Sequence, residues 1–356
     1  MTISRRAAAF DAISAAAGIG SAAGPLIGGL ITSAASWRLA FVAQALLVVV
    51  IIFLSQRIKD PGVQGPKPSF DLVGAVLSAA GLFFIVVGFL QAGTYGWFRA
   101  TQDFVIGGRV LIQAGGISPV CLFELIGALL LVWFFLHIRS RERRGQSPLL
   151  ATRMFQNRES NLGLVTQGIQ RLALLGLPFV VSVYLHTVRG FSAIETGLIL
   201  TPATFGILVS SLAASRLAQR YTQATLIRSG FITTVVGIFL LFLFARATSS
   251  VFTFFPGLLL VGLGVGVMLT SSVNVVQSSF PEKDQGEISG LSRSVSNLGS
   301  SLGVAIAGTV IVSDLVNGNA GYAIALIVLT AFALVGLVAA MMLTSPSAGH
   351  RASIPS

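Results

Sequence analysis

The sequence predicts an all-α integral membrane protein, a bundle of about ten transmembrane helices, and three observations carry that prediction. Hydrophobic residues make up 54% of the 356-residue chain and charged residues only 10%, whereas a soluble domain carries about 25% charged residues. Apolar runs of about 20 residues, the length that crosses a bilayer as a helix, recur from one end of the chain to the other. Basic residues collect in the short segments between these runs, the pattern that fixes orientation in a membrane.

The spans fall near 11–31, 37–55, 71–91, 117–138 and 161–187, then near 194–214, 226–245, 251–273, 286–313 and 321–343. Ten spans put both termini on one side. Along alternate connections that side holds sixteen Lys and Arg, six of them between Arg139 and Arg158. The other side holds five: Arg38, Arg99, Arg109, Arg189 and Arg246. By the positive-inside rule both termini are cytoplasmic, and the chain is expected in the cell membrane as a multi-pass protein. Topology accounts for the net charge of +11, so nucleic acid is not an expected partner.

The first span is organised by Gly20, Gly24 and Gly28, which recur every four residues and bare one helix face. In lipid such a small-residue stripe lets two helices pack closely. Pro25, inside it, removes a backbone donor and bends the helix, and Gly29 extends the bare surface. Ser4-Arg5-Arg6 does not read as a twin-arginine export signal, because Asp11 interrupts the apolar region that follows. The glycine-rich stretch from Gln91 to Gly116 reads as an outer loop. Glu124 is the one carboxylate well inside a span. Asp71 and Glu287 at inner span ends, with Glu195 and Asp314 at outer ends, read as solvated caps.

The basic segment from His137 to Arg158 is the longest cytoplasmic connection and divides the first four spans from the last six. It reads as a topological anchor, with a lipid-headgroup or regulatory contact as the alternative. The expected organisation is two helices in 1–58, two linking helices and an outer loop in 59–138, a basic linker in 139–160, a six-helix bundle in 161–345 and a disordered tail in 346–356.

Arg171 lies about ten residues into its span, near the bilayer midplane at 1.5 Å per residue. An arginine there costs roughly 2.5–3.5 kcal/mol on insertion scales, so it faces either a wet cavity or buried carbonyl partners. Gln167 is one turn away, Gln170 is adjacent and Pro178 lies further along the same stripe. Arg293 and Asn297 form a second stripe, from which Arg293 either lines a cavity or snorkels to the cytoplasm; Gly299, Gly303 and Ala307 beyond it form a packing surface. Tyr184 and His186, near an outer end, are candidates for substrate contact or for interface anchoring. Asn274 and Gln277, at the inner end of the glycine-rich span holding Gly262, Gly264 and Gly266, suit interhelical hydrogen bonding, with Asn274 a further cavity candidate.

Enzyme chemistry is not indicated. Cys121 is the single cysteine, so it makes no internal disulfide and lacks a partner for a cysteine-based metal site. His137, His186 and His350 are widely separated, and the chain shows no nucleophile–base pair, metal-ligand spacing or phosphate loop. Neither cofactor nor metal is expected.

Several stretches carry a family resemblance. GIGSAAGPLIGGLI followed by SWRLAF resembles the antiporter motif of the fourteen-helix drug:proton antiporter branch of the major facilitator superfamily, with Gly20, Gly24, Pro25, Gly28 and Gly29 as its packing residues. SPLLATRMFQNR, YLHTVRGFSAIETGLILTPATFGILVSSLA and GEISGLSRSVSNLGSSLGVAIAGT resemble later segments of that branch. SRLAQRY resembles a degenerate second copy of its gating motif, with Gln219 where an aspartate is usual, and Asp11 stands where the antiporter motif has a further glycine.

The resemblance implies a major facilitator-type helical bundle whose ten spans are the fifth to fourteenth helices, the first four lying outside this chain. It also implies proton-coupled multidrug efflux by alternating access, with the lipid bilayer, protons and an amphipathic or cationic drug as partners. The alternatives are a truncated, non-transporting membrane protein and a carrier for a specific metabolite. By themselves, Arg171 and Arg293 would favour anions; an acid in the absent helices would reverse that.

Overall fold

In a computed structural model, residues 31, 37–57, 70–244, 249–281, 284–313 and 319–344 are described. The glycine–proline stretch with Gly20, Gly24, Pro25, Gly28 and Gly29 lies outside them, as do Asp11 and Asp314. The described helices are α1 (Trp37–Ser55), α2 (Leu72–Tyr95), α3 (Pro119–Arg143), α4 (Arg158–Thr187), α5 (Ala193–Arg220), α6 (Gln223–Phe244), α7 (Phe254–Ser278), α8 (Gln285–Ser313) and α9 (Asn319–Met341). Every predicted span from 37–55 onward is thus helical. Among the described residues, seven helices are long and apolar enough to cross a membrane: α2 to α7 and α9. Among the same residues α1 carries a shorter apolar stretch, Phe41–Ser55.

Local chemistry sets several helix starts. Asp71 caps α2 by accepting a 2.9 Å bond from the Gly74 amide, and Asn157 caps α4 through the Ser160 amide. Ser192 and Glu195 form a reciprocal capping box at α5. Ser118 caps α3, with Pro119 in the first turn where its missing N–H costs nothing.

Small residues set how closely the helices pack. A Cβ on Gly176 of α4 would sit 2.9 Å from the Gly303 carbonyl oxygen of α8, and Gly299 lies directly against the backbone of Gly168. Glycines of α7 serve two neighbours: Gly257 and Gly264 abut Gly237 and Gly230 of α6, while Gly262 and Gly266 abut Ala203 and Ile207 of α5. Lipid supplies no hydrophobic drive between helices, so such backbone approach is what lets dispersion and interhelical hydrogen bonds hold them. Tyr184, Phe231 and Phe254 fill the centre between these contacts. Helix α4 also packs on α7 and α9, α2 pairs with α3, and α2 runs along α8.

The predicted outer loop contains a two-stranded antiparallel hairpin, β1 (Phe104–Ile106) and β2 (Arg109–Ile112). Its turn is Gly107-Gly108, with φ of +59° and +79°, the left-handed pair that a tight two-residue hairpin turn requires.

At the Arg-rich end the structure corrects the reading of Asp71 and Glu287 as solvated caps. Asp71 is 2% exposed. Its carboxylate accepts from the Gly74 and Leu149 amides, lies 2.9 Å from His137 Nε2 and pairs with Arg141 Nε at 3.7 Å. Burial alone would push this carboxyl up; the bonds from Gly74, His137 and Leu149 more than offset it, leaving Asp71 below its ordinary value. Glu287 accepts from the Ala151 amide at 3.0 Å. Glu142 accepts from the Thr152 amide and hydroxyl, and Arg153 pairs with Asp284 at 2.7 Å. Residues 149–153 are therefore tied both to the α2–α3 pair and to α8 with its preceding turn. Those bonds join residues far apart in the chain, which is why the sequence showed only isolated charges.

Candidate functional site

Among the residues of α8 up to Thr309, the exposed ones run along one stripe: Gly286, Gly290, Arg293, Ser294 and Asn297. Spacings of three and four place them on one helix face, and that face carries no apolar side chain larger than hydrogen. A helix facing lipid presents the opposite character, since charged groups in the bilayer turn toward a bundle interior or a water-filled path. The other side of α8 faces α4 through Ser292, Ser296, Gly299 and Gly303.

Gln167 closes this contact. Its amide nitrogen donates to Ser296 Oγ at 2.7 Å, and its carbonyl oxygen accepts from Ser292 Oγ at 3.0 Å. With both ends of its amide bonded and the side chain 2% exposed, Gln167 fastens two helices and does not line a cavity. Ser292 and Ser296 were not singled out from the sequence. Their signal was the four-residue spacing of two hydroxyls on a helix facing a glutamine.

One turn along α4, near the middle of that 30-residue helix, is Arg171. It is half-buried, and its Nε is buried without a hydrogen-bond partner. Gln170, 1% exposed, has an unpartnered amide nitrogen. Arg293 of α8 is exposed and follows Ser292, which bonds Gln167 one turn from Arg171. Neither arginine takes part in an ion pair among the described residues. The structure thus brings Gln167, Arg171, Arg293 and Asn297 to the adjoining parts of two helices, while Gln170, two residues from both Gly168 and Leu172, which meet α8, lies on another side of α4.

The other candidates sit elsewhere. Tyr184 is 1% exposed, its ring stacked on Tyr322 at 4.1 Å and tilted toward Phe254, so it is a packing residue of the core. His186 is exposed, and its Nδ1 lies 2.9 Å from the Phe191 carbonyl oxygen across the α4–α5 turn. Asn274 is exposed on α7, while its neighbour Gln277 donates to Ser289 of α8 at 3.4 Å. Glu124 lies over Gly88 of α2, where one carboxylate oxygen is buried without a partner.

Residues 2–304 and residues 163–355 each match the sequence profile described as the Major Facilitator Superfamily. The chain belongs to that superfamily. Among major facilitator relatives, the puromycin resistance protein pur8 of Streptomyces alboniger is 29% identical over 308 residues, which cover 86% of this chain and 57% of the relative. The tetracenomycin C resistance and export protein of Streptomyces glaucescens is 27% identical over 83% of this chain and 51% of its own length. The multidrug efflux pump LfrA of Mycolicibacterium smegmatis is 26% identical over 82% and 53%. This major facilitator chain spans about half the length of the curated relatives it matches.

Proposed function

We propose that this major facilitator protein exports small amphipathic molecules across the cell membrane by alternating access, driven by an inward proton gradient. In this reading it belongs to the fourteen-helix antiporter branch, and both termini of the chain are cytoplasmic. The organisation proposed is a pair of helices within 1–58, linking helices in 59–138, a basic linker in 139–160 and a six-helix bundle in 161–345. The observation that carries the reading is Arg171: a cation halfway along an apolar helix, its buried Nε without a hydrogen-bond partner among the described residues, beside a polar face on α8 that is unsuited to lipid. The names of the relatives, which speak of drug resistance and export, agree with it.

The α4–α8 pair suits rocking motion. Glycine contacts and the Gln167 clamp fasten the two helices into one body, so a bound molecule meets a preformed wall, and bundles move as units around it. The test is uptake into inside-out vesicles bearing the complete gene product. Accumulation of several amphipathic dyes that collapses when a protonophore is added is expected; no proton-dependent uptake across a broad panel would refute the reading.

A further inference from the structure

We propose that the α4–α8 face holds an organic oxyanion, an amphipathic molecule whose acidic head lies between Arg171 and Arg293. The inference rests on reading this face as the transport site and adds the charge class of what it takes.

Three independent features point to an anion. First, the two arginines stand on adjoining helices, Arg171 one turn along α4 from Gln167 and Arg293 next to Ser292, which Gln167 bonds, and neither is ion-paired among the described residues. Like charges in a partly dry site raise one another's cost, and a ligand of opposite sign relieves both at once. Second, the buried polar atom left unbonded here, Arg171 Nε, is a donor. It calls for an acceptor oxygen, and guanidinium geometry matches an oxyanion in particular.

Third, no described carboxylate is paired with either arginine. Asp71 is held by His137 and Arg141, Glu142 by Thr152, Glu159 by Thr344, Asp284 by Arg153 and Glu287 by Ala151. Asp103 accepts from Ala114, Glu195 closes the capping box with Ser192, and Glu124 lies over Gly88. None of them answers the two arginines. Room and an apolar wall are also present: a Cβ on Gly290 would meet nothing within 4 Å, and Leu175, one turn from Arg171, is 45% exposed.

The test uses two probes sharing one ring and bearing permanent, opposite charges: 1-naphthalenesulfonate and (1-naphthylmethyl)trimethylammonium. Binding is measured on the purified complete gene product, alongside Arg171→Gln, Arg293→Gln and the charge-retaining Arg171→Lys and Arg293→Lys. The sulfonate is expected to bind at least tenfold more tightly than the ammonium. Each Gln variant should weaken it at least tenfold, and each Lys variant, which keeps the charge but not the guanidinium fork and also checks folding, should recover part of that loss. Preference for the ammonium, sulfonate binding indifferent to both Gln substitutions, or binding of neither probe would each overturn the anion site. Efflux of the dye panel in vesicles is read separately, so the transport reading stands or falls on its own result.

Discussion

Gln167 and Ser296 face each other across the α4–α8 contact, the amide nitrogen donating a 2.7 Å hydrogen bond to the hydroxyl. Such bonds in membrane proteins contribute about 0.6 kcal/mol each by double-mutant cycles, because the reference state finds partners too. Gln167→Leu should therefore keep the protein inserted and folded while lowering its thermal midpoint in detergent by a few degrees. A double-mutant cycle with Ser296→Ala should return a coupling of about 0.6 kcal/mol; simple additivity would show that the bond is not formed.

Glycines on the two sides of α8 should respond in opposite ways. Gly303→Val places side-chain atoms into the backbone of Leu172, which cannot yield without parting the helices, so folded protein should be lost. Gly290→Ala meets open space and removes the helix-propensity penalty of glycine, about 1 kcal/mol. Its midpoint should be unchanged or slightly higher, as measured on detergent-purified protein.

The clamp at Asp71 has a pH signature. A carboxyl lowered in the folded state contributes stability above its unfolded value of about 3.9, and that contribution is lost as pH falls through the lowered folded value. Asp71→Asn should thus unfold at a lower temperature than wild type at pH 7, with the gap closing as pH falls below about 4. Thermal unfolding at a series of pH values checks this, and a gap that does not depend on pH would contradict it.

The helices were legible because a membrane span is a local property, and Leu72–Tyr95 or Asn319–Met341 announces itself by length and composition alone. The polar face was legible for the same reason, since Arg171, Arg293 and Asn297 stand out against apolar surroundings. What stayed hidden depends on distant partners. Gln167 read as a cavity residue until Ser292 and Ser296 came to meet it from 125 and 129 positions away. Tyr184 became a core residue only with Tyr322 stacked on it from α9, and Asp71 a buried anchor only with Leu149 and His137 beside it. The hairpin at Gly107-Gly108 had its turn signal in view, but strands of three and four residues are too short to read by alternation.

The central claim, that the exposed face of α8 lines an aqueous path and does not face lipid, is tested most directly by thiol accessibility. With the lone cysteine removed by Cys121→Ser, Asn297→Cys and, as a lipid-facing control, Phe239→Cys on α6 are introduced singly into the complete gene product. Each is treated from both sides of the membrane with a membrane-impermeant maleimide. The account predicts that Asn297→Cys is labelled at least tenfold faster than Phe239→Cys; labelling as slow as the control would contradict it.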